Sequence, residues 1–214
     1  MKTRSVAIFI FDDIEVLDFC GPFEVFAVAG EQSETESSPR CFNVVTVSQD
    51  GKAIRARNGL NVTPDHAMAD CPTPDILLIP GGAGTRPLVK NAEVVDWVVK
   101  TYAKVEILAS VCTGALVLAK GRLLDGKPAT THHDALPLLK KLAPTADIRS
   151  EERFTEAGNI YTSGGIAAGI DLSLHLVEKL AGGAVLYKTQ IEMEYGDWRA
   201  MQKSLSDLET KSNS

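Results

Sequence analysis

The sequence predicts an α/β fold, in which helices sandwich a mostly parallel central sheet. Its apolar runs are short and nearly continuous, as expected of parallel strands that are covered on both faces. They span residues 4–11, 41–48, 75–82 and 107–111. Segments with apolar residues at helical spacing separate these runs, which indicates βαβ units. No linker or repeat divides the 214 residues, so we expect a single domain, residues 1–214, with a polar tail from about 197 to 214.

The elements of the N-terminal half follow the first strand in order. GPFEVFAVAG, residues 21–30, predicts a helix with Pro22 in its first turn and Gly30 at its end. The polar stretch 31–40 predicts a surface loop. AIRARNGLNVTPD, which follows the second strand, predicts a small β-hairpin with an Asn-Gly turn.

The C-terminal half continues the alternation of helices and strands. An amphipathic helix over 91–105 precedes the fourth strand, and a further helix begins at Cys112. Pro137 stands where the first turn of a helix within 134–144 is expected. Short strands with a turn at Gly158 come next, followed by two helices. These two helices are predicted over 165–182 and 183–196.

Composition and charge argue against several classes of function. The net charge is −6 and the pI about 5.3, which argues against nucleic acid as a partner, because its phosphates require a basic face. No apolar run reaches the roughly 20 residues of a membrane-spanning helix, and SVAIFIF is too short for a signal peptide. We therefore expect a cytoplasmic protein without nucleic-acid or membrane partners. The four cysteines show no C-x-x-C spacing and are expected to be free thiols.

Cys112 lies where a predicted strand turns directly into a predicted helix, in the stretch ILASVCTGALVLAKG. This order of strand, sharp turn and helix is typical of a nucleophile elbow, in which the turn exposes the reactive side chain. The positive end of the helix would favour a thiolate over a thiol. The alternative is a buried structural cysteine at a strand end. Small neighbours, which leave room for a tight turn, favour the nucleophile.

Two further segments end at the same predicted edge of the sheet. In IPGG, the N–H groups of Gly81 and Gly82 would join that of Thr113 in an oxyanion-binding pocket, and a plain turn is the alternative. In EVLDFCGPFEVF, either Asp18 or Glu24 would lie over the elbow and pass a proton. Capping of a helix N-terminus accounts for these acids equally well.

Four motifs in this order resemble those of the ThiJ/PfpI superfamily of class I glutamine amidotransferase-like proteins. They are LDFCGPFEVF, ILLIPGG, SVCTGALVLAKGRLLDGKPATTHH and YTSGGIAAGIDLSLHLVEKLAG. The resemblance extends from about Ser5 to Tyr195 and is strongest to the isonitrile hydratase branch. The amidase-like domain of certain AraC-type regulators carries similar motifs. The resemblance implies a flavodoxin-like fold and a homodimer.

The resemblance also assigns the catalytic residues. It implies that Cys112 is the nucleophile, that Asp18 forms a hydrogen bond with it, and that Thr113 is the threonine that follows the nucleophile in the hydratase branch. Glu24 matches an acidic position for which we expect a structural role.

The expected substrate-binding residues surround that cysteine. By resemblance, the backbone of Gly81 and Gly82 faces the thiol, Gly164 lies in a turn that shapes the pocket, and His132 lies near the cysteine. His132 and its neighbour His133 would point to opposite sides of an extended strand, so we expect no metal site there.

The function that these expectations imply is hydration of a small-molecule isonitrile, such as cyclohexyl isocyanide, to an N-substituted formamide. Cys112 would form a thioimidate and Asp18 would move the protons, without a metal or an organic cofactor. A small hydrophobic pocket would favour such a substrate. The alternatives are another cysteine-dependent hydrolase of the superfamily, such as an amidase, a protease-like enzyme or a glyoxalase, and a domain that senses a ligand or redox state without catalysis.

Overall fold

A computed structural model describes residues 2–30, 40–199 and 202. The predicted surface loop at 31–40 therefore lies outside the described residues except for its last position, as does most of the polar tail. The strands are β1 Arg4–Phe9, β2 Phe42–Ser48, β3 Ile54–Arg55, β4 Asn61–Val62, β5 His66–Ala67, β6 Ile76–Ile79, β7 Ile107–Ser110, β8 Pro128–Ala129, β9 Asp147–Ile148, β10 Phe154–Ala157 and β11 Ile160–Ser163. The helices are α1 Val16–Val28, α2 Thr85–Leu88, α3 Ala92–Tyr102, α4 Ala115–Lys120, α5 Leu136–Leu142, α6 Ala168–Ala181 and α7 Gly183–Glu192.

Within the described residues, seven strands form the main sheet in the order β10-β11-β7-β6-β1-β2-β5. All neighbours are parallel except β10 and β11, which form an antiparallel pair at one edge. Helices α1, α6 and α7 pack against one another, as do α2, α3 and α5 against α4. The predicted α/β fold with a mostly parallel, helix-covered sheet is confirmed.

The small hairpin is also present. Strands β3 and β4 pair antiparallel, and the turn between them contains Asn58 and Gly59, both with positive φ. None of the helices in the described segments combines the length and the apolar content needed to cross a membrane.

Helix α1 begins earlier than the sequence predicts. It starts at Val16, so Pro22 is its seventh residue and not part of its first turn. A proline inside a helix removes the bond to the carbonyl four residues before it, here that of Asp18. Burial of Asp18 and Phe19, which are 0% and 4% exposed, holds the early turn in place. The predicted helix over residues 21–30 left Asp18 outside it, and the structure places Asp18 within the first turn of α1.

The central strands determine which residues meet at the carboxyl edge of the sheet. β7, β6 and β1 lie side by side, with Ile76 opposite both Val6 and Ile107. The chain leaving each of them therefore enters the same region, as is usual for ligand sites of parallel sheets.

Candidate active site

Cys112 lies in a sharp turn between β7 and α4. Its φ of +55° is left-handed, a conformation that costs a residue with a side chain about 1–2 kcal/mol. Two backbone contacts hold it: its N–H donates to the carbonyl of Gly164 (3.0 Å), and its own carbonyl accepts from the hydroxyl of Thr131 (2.7 Å). The same turn passes so close to β6 that a Cβ on Gly114 would lie 2.0 Å from the carbonyl oxygen of Ile79. The turn geometry expected of an elbow is therefore present.

Asp18 reaches the cysteine from the first turn of α1. Its carboxyl group is fully buried beside the Cys112 thiol, and the two groups shift each other's pKa. Its two oxygens also accept from the N–H groups of Gly81 (3.0 Å, Oδ2) and Ile166 (3.1 Å, Oδ1). Helix α1 and the segments of Gly81 and Ile166 thus fix the position of one carboxyl group. Glu24, the other acid considered from the sequence, is exposed on α1.

The cysteine and the carboxyl group hold one proton between them near neutral pH. Burial is the main reason that the pKa of Asp18 is raised to about 6, although the N–H donors of Gly81 and Ile166 oppose this. Burial, followed by the negative charge of Asp18, raises the pKa of Cys112 to about 12. A hydrogen bond from the Thr113 N–H opposes this rise without cancelling it. The expectation of a resting thiolate is therefore wrong, because desolvation outweighs the effect of the helix end.

Gly81 and Gly82 support the site through their backbone. The Gly81 N–H binds Asp18, and the Gly82 N–H donates to Thr113 Oγ1 (2.9 Å), which also lies 3.0 Å from Thr85 Oγ1. A Cβ on Gly81 would lie 2.5 Å from the Thr113 nitrogen, so only glycine fits there. Because both glycine N–H groups are engaged within the protein, neither is free to bind a substrate oxyanion as predicted.

Gly164 and His132 differ in their position relative to the cleft, which His132 lines and Gly164 does not. Gly164 acts through its carbonyl, which accepts from the Cys112 N–H and so orients the nucleophile. His132 lies at the rim of the cleft that contains Cys112. It is packed so tightly against Gly165 that a Cβ on that glycine would lie 2.3 Å from His132 Cδ2.

The two adjacent histidines do not point apart. Residues His133–Ala135 form a one-turn 3₁₀ helix, so the chain is not extended there, and the two rings stack with centroids 4.2 Å apart. With Asp134 they form a group whose potential ligand atoms all lie within 4.8 Å of one another. His132 Nδ1 already accepts the Asp134 N–H (3.3 Å), so one of these potential ligand atoms is engaged within the protein. The absence of a metal remains a prediction.

A cleft of about 430 Å³ lies above Cys112. Its floor includes Cys112 and Thr113, and Ile166 contributes an apolar wall. The rim, by contrast, is charged. It is formed by Glu15, Arg57, Arg86, His132 and Asp134.

Within that rim, Glu15 and Arg57 form an ion pair at 2.8 Å. Arg86 instead donates through Nη1 to the carbonyl of Gly82 (3.1 Å). The cleft is more polar than the hydrophobic pocket expected for a cyclohexyl substrate.

Sequence analysis missed Ile166, whose N–H binds Asp18. Its φ is +53°, and no sequence signal identifies a β-branched residue in that conformation. It also missed Glu15, Arg57 and Arg86, which come from three segments that only the tertiary fold brings together.

The fold and the site define a flavodoxin-like α/β protein with a cysteine at a strand-to-helix turn and a buried carboxyl partner. The chain belongs to the DJ-1/PfpI family, whose profile matches residues 4–179. The superfamily predicted from the four motifs is thereby confirmed.

The curated relatives include both an enzyme and a regulator. The chain is 34% identical to the isonitrile hydratase of Pseudomonas putida, over 89% of this chain and 78% of that protein. It is 28% identical to the HTH-type transcriptional regulator GbdR of Pseudomonas aeruginosa, over 84% of this chain but 47% of the regulator. Among solved structures, a ThiJ/PfpI family protein from Pseudomonas syringae superposes with a TM-score of 0.81 at 26% identity, covering 91% of this chain and 76% of that one.

Proposed function

We propose that this protein is an isonitrile hydratase-like lyase that adds water to an organic isonitrile and releases an N-substituted formamide. The observation that carries the proposal is the Cys112 thiol in the cleft, with the buried Asp18 carboxyl group close enough beside it that each shifts the pKa of the other. The similarity to an isonitrile hydratase over most of both chains supports the same reaction. The cytoplasmic location and the homodimer stay predictions.

The pair suits the first step because an isonitrile carbon must receive a nucleophile and a proton at the same atom. The sulfur of Cys112 bonds to that carbon while the thiol proton, passed through the Asp18 carboxylate, is delivered to it. The product is a thioimidate, R–N=CH–S–Cys112. Since the thiol transfers its proton as it attacks, this step does not require the resting thiolate that burial disfavours.

Hydrolysis of the thioimidate uses the same carboxylate. Asp18 accepts a proton from water as the water oxygen attacks the carbon, and passes that proton to the imidate nitrogen. The C–S bond then breaks, the remaining hydroxyl proton returns to sulfur through Asp18, and R–NH–CHO leaves. The sum is R–NC + H₂O → R–NH–CHO, with Cys112 and Asp18 restored.

The charged rim of the cleft bears on the substituent R. Arg57 and Arg86 lie above an apolar wall that includes Ile166. This combination favours a short isonitrile, or one with a polar group, over a purely hydrocarbon one.

The test is incubation of purified protein with isocyanoacetate and, separately, with cyclohexyl isocyanide, followed by NMR detection of the formamide. We expect the protein to convert at least one of these two isonitriles, with the higher kcat/KM for isocyanoacetate. Cys112→Ser should lower turnover by about 10³-fold or more. The control is Cys71→Ser, which changes a half-buried thiol that donates a hydrogen bond to the carbonyl of Pro72 and should leave turnover unchanged. Full activity in Cys112→Ser would exclude the covalent route.

A second candidate is a ligand-sensing domain that binds without turnover. The similarity to nearly half of a transcriptional regulator favours it. In that case isocyanoacetate would bind in a calorimetric titration, and no formamide would accumulate. Redox sensing by Cys112 receives less support, because oxidation follows thiolate character and the pKa of this thiol is raised.

A further inference from the structure

A second cavity lies beside the active-site cleft, bounded by α2, the segment that follows it, α4 and α5. Its volume is about 810 Å³, within the range of sites that bind small organic ligands. None of the residues assigned to the Cys112 chemistry lines it. We call this second cavity the groove. Arg86 lines both the groove and the cleft, so the two cavities are neighbours.

The floor of the groove is apolar. Leu138 and Leu142 are one turn apart on α5 and only half-buried, and fully buried Leu116 of α4 lies beneath them. Both helices pack on each other and on the core, so these leucines cannot turn inward to hide the remaining apolar surface. An open concave surface of this kind is suited to the hydrocarbon part of a ligand.

The rim of the groove is cationic. Arg86, Lys90, Lys120 and Lys141 all line it and are exposed, and no acidic side chain does so among the described residues. This clustering runs against the net charge of −6 of the whole chain. Four cations around one concave surface repel one another and produce a positive potential, which an anionic ligand neutralises.

We propose that this groove binds an amphipathic organic anion, with a hydrocarbon body against the leucines and a carboxylate or sulfonate head between the basic side chains. The shape and the charge both support this assignment, since a neutral hydrocarbon leaves the cations unpaired and a small inorganic anion leaves the leucines exposed. The site is separate from the Cys112 chemistry, so binding does not require an active enzyme.

The first experiment compares three ligands of the same chain length by calorimetric titration: octanoate, 1-octanol and octylamine. We expect octanoate to bind, octanol to bind at least about tenfold more weakly, and octylamine not to bind. Octanoate should bind equally to Cys112→Ser. Equal affinity for the anion and the neutral alcohol would overturn the proposal, because the rim would then contribute nothing.

The second experiment locates the ligand. The double variant Lys120→Glu/Lys141→Glu should weaken octanoate binding at least about tenfold. The matched double variant Lys100→Glu/Lys104→Glu makes the same change of charge at exposed lysines that do not line the groove, and should bind within about twofold of the original.

Two outcomes contradict the site assignment. Equal weakening by both double variants would show a general electrostatic effect and no local site. A change of oligomeric state in Lys120→Glu/Lys141→Glu, measured by sedimentation, would show that the groove is a contact between copies of this chain. Thermal unfolding of each variant verifies that it is folded.

Discussion

The cleft at Cys112 and the groove at α4 and α5 are neighbouring cavities built in opposite ways. In the cleft, the reactive groups are buried and held by backbone: Asp18 by two N–H donors, and Cys112 by the carbonyl of Gly164. In the groove, the charged groups are exposed arginine and lysine side chains, above leucines that are half-buried.

This difference shows what each cavity can do. Proton transfer and bond formation need atoms fixed to within fractions of an ångström, which close backbone packing supplies. Binding of an amphipathic anion needs only area and charge of one sign, which flexible side chains supply. Changes in the cleft should therefore affect chemistry and folding strongly, and changes in the groove should affect binding alone.

The largest expected effect is that of Asp18→Asn. Without a carboxylate to relay protons, turnover should fall about 10²- to 10⁴-fold. The same change should increase the rate at which iodoacetamide alkylates Cys112 at neutral pH, because the Asp18 charge contributes to the raised pKa of that thiol. Formamide production and mass-spectrometric alkylation rates measure the two effects.

The matched control is Glu24→Gln, which makes the same chemical change at an exposed position of the same helix. It should alter neither rate. Unchanged turnover in Asp18→Asn would exclude the proton-relay role, and a slower alkylation of Cys112 would exclude the electrostatic one.

The next effect concerns the packing that fixes the cleft. Gly114→Ala should lower the free energy of unfolding by about 3 kcal/mol, because the new Cβ would lie 2.0 Å from the Ile79 carbonyl oxygen. Gly183→Ala, at a helical glycine with no atom within 4 Å of the added Cβ, should be neutral or slightly stabilising. Urea denaturation of both variants makes the comparison, and equal stability would show that the turn can move away from β6.

The pH dependence of turnover should reflect the raised pKa of Asp18. The relay needs the carboxylate, which protonates as the pH falls through about 6 and not near 4, as an exposed aspartate would. Activity should therefore decline on the acidic side with an apparent pKa near 6, measured on kcat/KM. A decline of kcat/KM with an apparent pKa near 4 would show that a group other than Asp18 controls activity at acidic pH.

The smallest expected effect is that of the groove lysines on stability. Lys120→Glu/Lys141→Glu should change the free energy of unfolding by no more than about 0.5 kcal/mol, because both side chains are exposed. Chemical denaturation checks this. A loss of several kcal/mol would mean that these lysines support the fold, and the comparison between cleft and groove would fail.

Local patterns predicted the parts of the fold that depend on short stretches of sequence. The buried strands, the Asn-Gly hairpin and the helix after Cys112 follow from apolar runs, turn residues and helical spacing. The start of α1 could not be predicted in this way, because a proline such as Pro22 normally marks the first turn of a helix. Only burial of Asp18 and Phe19 extends the helix to Val16.

Sequence analysis could predict which residues form the site, but not the protonation state of its thiol. The order of strands and turns indicated that Gly81, Cys112 and either Asp18 or Glu24 belong at one edge, and the family resemblance selected Asp18. The structure bonds Asp18 to Gly81 and places it beside Cys112. The state of the thiol was predicted wrongly, because a helix end suggests a lowered pKa, whereas the depth of burial raises it. Depth of burial is a property of the folded molecule.

The sequence by itself determined the fold class and the position of the cysteine at a strand-to-helix turn, since these depend on residue order and local preference, whereas the family resemblance chose Asp18 over Glu24. Only the tertiary structure decided where the proton lies, which loops supply the charged rim, and that a cationic groove adjoins the cleft. These features depend on distances between residues far apart in the chain, such as Asp18 and Ile166, which no local pattern encodes.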